Sequence, residues 1–408
     1  MSDAAQAAAR GDGPAKQPAR ARPEAPERGA RPTVALVSAH WGETEDEATS
    51  VTRLVAGALA RSAEVQVIHL GAPATGSTPR HDSVFRVHGA PLRDAQPLRA
   101  GVLRAALGHD GRRRVPARAG ALLAQLEGWS DEVPGLLAQI KPACVLLVGH
   151  HQPHDHAAAA LGRARVVALP LLGSGDALEI ERVRSLVTGA DLVLAAHPGE
   201  QRRLRSCLGA PGDARVAALP LALALNWGAV RDRLYGVRHF GRYVVLLRCF
   251  PGDGRRFLQS ITHEVLRDVL GSVAVAEVDG QRWRISDRKR TLVLPVGPSR
   301  VNLWRLMAHA EATVDVRPSG PVGREAIESM LLGTPVVVPD GSAAAAHVAK
   351  AGGGLWYRDI GELFDATRLL LDPAVRSPLS AQGRRYAEAH HSDLGAFVHE
   401  LGRLVLGP

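Results

Sequence analysis

Aromatic side chains are scarce in this chain of 408 residues, which has six Trp, six Phe and four Tyr. Its cores must rest on Ala, Val and Leu, and a basic surface interleaved with base-stacking rings is excluded. With no helix-turn-helix pattern and no metal-finger spacing either, no nucleic-acid partner is expected. Lysine stands only at Lys16, Lys141, Lys289 and Lys350, so the formal charge of +9 is carried by arginine. That balance suits phosphate or an anionic surface, but an Arg- and Ala-rich composition, seen also in the tail, is read as its main cause. Cysteine is limited to Cys144, Cys207 and Cys249, far apart and without metal-ligand spacing. An odd, sparse set fits a reducing compartment and not a disulfide framework. No uncharged apolar run reaches membrane-spanning length, and the amino terminus has no apolar signal core. The expectation is a cytoplasmic protein, soluble or peripheral to the inner face of the membrane.

What is present is alternation. Residues 1–31 are Ala, Arg, Pro and Gly without period, too poor in large apolar side chains to offset their ordering entropy, and read as a disordered tail. From Thr33 onward, short continuous apolar runs such as TVALVS, ACVLLV and YVVLLR alternate with helical patterns. Such runs suit parallel strands covered on both faces. The chain is long enough for two such units. The reading is an α/β protein of two doubly wound, Rossmann-like parallel-sheet domains facing a cleft, with ligands at the strands' carboxyl ends. Residues 32–220 form the first domain, 221–240 the linker, 241–390 the second domain and 391–408 a helix returning to the first.

One stretch concentrates the chemistry: Arg317 to Asp340, RPSGPVGREAIESMLLGTPVVVPD. A loop with Ser319, Gly320 and Gly323 opens a helix that begins near Arg324. The first amides of a helix lack carbonyl partners, so they make a receptor for an anion such as a diphosphate. Gly323 permits close approach of a ligand, and Glu328 lies one turn in, within reach of a sugar hydroxyl. The same pattern also describes an ordinary loop-to-helix junction. After the strand at Tyr243, the glycine-rich run CFPGDGRRF carries Arg255 and Arg256, either a two-point phosphate grip or a pair of solvated arginines.

Three other segments carry alternatives. After the first strand come His40, Trp41 and Gly42, with His40 and Trp41 as candidate acceptor contacts, then Glu43, Glu45, Asp46 and Glu47. Those acids either cap a helix, with Thr44 and Glu47 as a capping box, or hold a cation. The run GHHQPHDH follows the strand at Ala143; Pro153 argues against a helical metal pair, so His150 or His151 is read as a neutral hydrogen-bond donor and no metal is expected. Between residues 91 and 118, Arg93, Arg99, Arg104 and Arg112 to Arg114 are interspersed with leucines, either a solvated face or a helix lying on an anionic membrane.

The segment from Thr313 through the tail resembles the nucleotide-sugar site of GT-B retaining glycosyltransferases of the family-4 type. That motif carries a glutamate, seven other residues and a second glutamate, then Ala-Met-x-x-Gly-x-Pro-Val-Val. Glu328 matches the second glutamate, with Ser329, Met330, Gly333, Pro335, Val336 and Val337 in register, while Gly320 stands where the first belongs. The resemblance implies a nucleotide-diphosphate sugar as donor substrate, no resident cofactor, and an acceptor that is a small molecule, a glycan or a lipid. It implies that Ser319, Gly320, Gly323 and Arg324 line the donor, that Glu328 holds ribose, and that Arg248 with Arg255 or Arg256 neutralises the leaving diphosphate. It places His150 or His151 near the donor sugar. Glu325, one turn before Glu328 on the same helical face, is read from its spacing as a partial substitute for the absent carboxylate. The expected activity is transfer of a hexose with retention; a degenerate member that binds without transfer and a sugar-nucleotide epimerase are the alternatives.

Overall fold

The computed structural model describes residues 31–39, 41, 47–71, 80–82, 85–92, 130, 132–149, 164–172, 183–184, 186–187, 189–208, 215–223, 225–234, 237–247, 263–279, 282–293, 299–316 and 321–407. His40, Gly42, His150, His151, Arg248, Arg255, Arg256, Ser319 and Gly320 lie outside them, as does the basic segment beyond Leu92.

The first sheet has eight strands: β1 (Thr33–Ser38), β2 (Glu64–Leu70), β3 (Arg80–Asp82), β4 (Phe85–Ala90), β5 (Cys144–Val148), β6 (Arg165–Leu169), β7 (Leu192–Ala195) and β8 (Val216–Ala218). They lie in the order β3-β4-β2-β1-β5-β6-β7-β8, parallel apart from β3 against β4. Alternate residues enter different cores, as a two-faced sheet requires: Val34 and Leu36 of β1 join one cluster, Ala35 and Val37 the other. Helices α1 (Glu47–Leu59), α2 (Glu132–Ile140) and α3 (Pro198–Leu208) cover it.

A short helix α4 (Trp227–Val230) leads to the second sheet. This has seven strands: β9 (Tyr243–Leu247), β10 (Ala274–Asp279), β11 (Arg282–Ser286), β12 (Thr291–Val293), β13 (Thr313–Asp315), β14 (Val336–Pro339) and β15 (Gly354–Tyr357). Their order is β12-β11-β10-β9-β13-β14-β15, with β10, β11 and β12 an antiparallel meander on an otherwise parallel sheet. Its helices are α5 (His263–Leu270), α6 (Arg300–Ala308), α7 (Arg324–Leu331), α8 (Ala343–Ala351) and α9 (Ile360–Leu371). Caps fix several starts: Ser342 accepts from the Ala345 amide and Asp359 from the Glu362 amide.

Two helices close the chain, α10 (Pro373–His391) and α11 (Leu394–Leu406). Phe397, Leu401, Leu404 and Val405 of α11 are buried in the same cluster as Val34, Leu146 and Leu59, so the chain's end packs on the first sheet. That cluster also takes in Leu221, Ala222 and Leu223 of the linker and Ile327, Met330 and Leu331 of α7, so apolar packing joins the two sheets' units. Among the described residues no helix is long and apolar enough to cross a membrane.

Candidate functional site

Strand order locates the ligand-binding crevices. In the first sheet the winding reverses between β1 and β5, and in the second between β9 and β13. Open α/β sheets bind at such reversals, outside the carboxyl ends of the strands. The four loops that leave these ends carry nearly all the sequence candidates: His40 to Gly42 after β1, His150 and His151 after β5, Arg248, Arg255 and Arg256 after β9, Ser319 to Arg324 after β13.

The loop after β13 is best defined at its helical end. Gly323 is the N-cap of α7 with φ of 74°, and a Cβ there would stand 2.7 Å from the backbone of Ala344 at the start of α8. Only glycine fits both that left-handed conformation and that contact. Behind it, the Ser329 hydroxyl donates to the Thr334 carbonyl at 2.9 Å and lies 2.8 Å from the Thr313 hydroxyl, pinning α7 to β13.

The N-cap Gly323 has no side chain with which to cap α7. Instead the Glu47 carboxylate, from the first turn of α1 in the other sheet's unit, accepts from the Val322 amide at 3.3 Å and the Arg324 amide at 2.5 Å. The helix start is thus an anion receptor already occupied by an anion of the same chain. Sequence spacing pairs Glu47 with Thr44, which lies outside the described residues; the fold also sends the Glu47 carboxylate across to α7. Nothing local marks a contact 277 residues away.

Glu328 is fully buried and gripped by two arginines. Arg300 brings Nε to Oε1 at 3.0 Å and Nη2 to Oε2 at 2.6 Å, the latter as an ion-pair contact off the hydrogen-bonding direction, and Arg324 donates Nε to Oε1 at 2.9 Å. Arg300 also donates Nη1 to Glu325 at 2.8 Å. Burial disfavours the Arg300 charge, but the two carboxylates outweigh it and raise its pKa above the ordinary arginine value. Glu325 and Glu328, one turn apart on α7, share this guanidinium. Arg300 escapes sequence reading because it meets its partners only through the packing of α6 beside α7.

Trp41 is a core residue, not a wall of the crevice. It is 5% exposed, edge-on to Phe85 at 5.4 Å between ring centroids, with the Arg53 guanidinium over its face. The acceptor contact expected of it is therefore closed in this structure.

A second polar cluster lies buried between the two units. His197, beside the start of α3, His347 on α8 and His391 at the end of α10 have centroids 6.0 Å apart for the first pair and 5.2 Å for the second. Their Nδ1 atoms meet the Glu200 amide, the Tyr386 hydroxyl and the Leu221 carbonyl respectively. Burial, followed by neighbouring cations, lowers His197 to about 3; burial likewise lowers His391 to about 4 and His347 well below its ordinary value. All three are neutral near pH 7. Among the described residues no His, Cys, Asp and Glu are grouped to hold a metal ion.

No protein-family model matches this chain, and no curated protein matches it in sequence. Solved structures do match. Sucrose-phosphate synthase from Thermosynechococcus elongatus aligns with a TM-score of 0.62 at 17% identity, covering 92% of this chain and 98% of that one. The Anabaena protein HepE, crystallised with UDP-glucose, aligns with a TM-score of 0.59 at 12% identity, over 91% and 98%. WaaG, a glycosyltransferase involved in lipopolysaccharide biosynthesis, aligns with a TM-score of 0.52 at 13% identity, over 92% and 100%. At such identities the likeness is one of fold: the chain has the two-domain α/β GT-B architecture.

Proposed function

We propose that this protein is a glycosyltransferase that takes a hexose from a nucleotide-diphosphate donor and passes it, with retention, to an acceptor hydroxyl. The observation that carries the reading is the pair of amides at Val322 and Arg324, which hold a carboxylate where the fold's reversal point directs a ligand. In this reading the donor's diphosphate takes the place of Glu47. The arginines after β9 complete its neutralisation. The bond from the sugar's anomeric carbon to the β-phosphate oxygen breaks, the nucleoside diphosphate leaves with that electron pair, and the acceptor oxygen forms the new bond and releases its proton. The family-4 pattern around Glu328 and the UDP-glucose bound by HepE support a nucleotide-sugar donor.

Specific observations favour a second reading, in which the chain binds a nucleotide without transfer. Glu328 is clamped by Arg300 and Arg324, Glu325 is engaged by Arg300, and glycine stands at the first motif position. Incubating the purified protein with a panel of nucleotide sugars and no acceptor separates the readings. A transferase slowly releases nucleoside diphosphate from at least one. Calorimetric binding of a nucleotide with no release across the panel supports the second reading. Epimerised sugar nucleotide without free diphosphate points to the epimerase chemistry that the same architecture hosts.

A further inference from the structure

We infer that Glu47 is a gate on the diphosphate site: its carboxylate holds the start of α7 against the start of α1 until a phosphate displaces it. This rests on the donor reading above. Glu47 opens α1, a few residues after the carboxyl end of β1, and Arg324 opens α7 after β13, so one side chain ties the reversal point of the first sheet to that of the second. The contact is anion to amide at both oxygens. A phosphate on the same amides would stand beside that carboxylate, and like charges competing for the same donors exclude one another. Ligand binding and this interdomain contact are therefore alternatives, and the free protein is in the gated state.

The geometry also fixes what the gate does to specificity. Glu47 competes through its charge with the phosphates and makes no demand on sugar or base, so it lowers affinity for every nucleoside diphosphate by a similar factor. A ligand with one phosphate, having less charge to offer the amides, is excluded more strongly than one with two.

The test titrates UDP, GDP, ADP and inorganic pyrophosphate into the wild-type chain and Glu47→Gln by calorimetry. The glutamine keeps the shape and one acceptor oxygen while removing the charge. The gate requires Glu47→Gln to bind the same diphosphates at least about tenfold more tightly. Affinities equal within twofold overturn the gate and leave the donor reading standing, and weaker binding by the variant does the same, because Glu47 then belongs to the site. Absence of binding by either protein to any of the four ligands overturns both. Should the variant be too unstable to titrate, amide exchange in the wild type decides. Saturating UDP must speed exchange across the start of α1 while the start of α7 stays protected, and an unchanged α1 start overturns the gate.

Discussion

Removing Arg300 tests whether the buried charge network around Glu328 organises the second domain's crevice. Arg300 serves two carboxylates, donating Nε to Glu328 and Nη1 to Glu325, with Nη2 in ion-pair contact with Glu328. Its side chain is 29% exposed while Glu328 is fully buried, and Nη2 itself has no contact with solvent. Deleting one partner of a buried pair costs about 3–5 kcal/mol, because the remaining charge keeps its desolvation penalty. Arg324 still holds one oxygen of Glu328, and the partial exposure of Arg300 admits water, so Arg300→Met is expected to cost about 2–3 kcal/mol. For a domain of this size that lowers the thermal midpoint by roughly 5–10 °C. Urea unfolding followed by tryptophan emission reads it directly, since Trp283, Trp304 and Trp356 all lie in this half of the chain. In a Glu328→Gln background the same substitution should cost at least about 1 kcal/mol less, the signature of direct coupling. A single-variant loss within about 0.5 kcal/mol of zero would refute the argument, because a surface arginine of no consequence behaves that way.

Gly323→Ala combines a left-handed φ with a Cβ 2.7 Å from the Ala344 backbone, and should destabilise the chain by about 2–4 kcal/mol in denaturant unfolding, while Gly341→Ala, also at positive φ but in open space, should cost only about 1–2 kcal/mol. The histidine cluster predicts a sign for pH. His197 and His391 bind protons less readily folded than unfolded, so the unfolded state takes up more protons as pH falls below about 6.5, and folding stability drops by up to about 1.4 kcal/mol per pH unit for each. Their neighbours Arg203, Arg202, Lys350 and His390 are of the same sign or neutral and do not reverse this. The thermal midpoint should therefore fall between pH 6.5 and 5, less steeply in His391→Gln, and a flat wild-type profile would refute the cluster's role.

The sheets were legible because parallel strands buried on both faces are continuous apolar runs. TVALVS reads to the residue, ACVLLV holds the strand Cys144–Val148, and YVVLLR holds Tyr243–Leu247, its Arg248 lying outside the described residues. Where a strand faces water on one side the signal weakens. FRVHGA lies next to the edge strand of the first sheet with Arg86 exposed, and RWRIS alternates Trp283 and Ile285 inward with Arg284 outward in the antiparallel meander. Period-two alternation in RWRIS was there to be read; in FRVHGA it is weaker, with Val87 and Ala90 buried and Phe85 half-buried against the core. At the site the glycine at position 323 and the glutamate at 328 were visible as a pattern. Their partners were not, since Glu47 and Arg300 reach them from other elements.

Charge decides how those two layers of information fit together. Around the start of α7 the described side chains set three carboxylates, Glu47, Glu325 and Glu328, against two guanidiniums, Arg300 and Arg324. A diphosphate that simply joined this set would add negative charge to three carboxylates facing two guanidiniums among the described side chains, so a nucleotide site here needs two changes at once. Glu47 must leave, which the interdomain contact permits because it is a single side chain at a helix end. Cations must also arrive, and the loop on the other side of the reversal point is where the sequence puts them, at Arg248, Arg255 and Arg256. The glycine-rich arginine loop and the carboxylate on the α7 amides are thus complementary halves of one electrostatic requirement. That is why removing the charge at position 47 probes the whole assignment more sharply than any substitution on α7 itself.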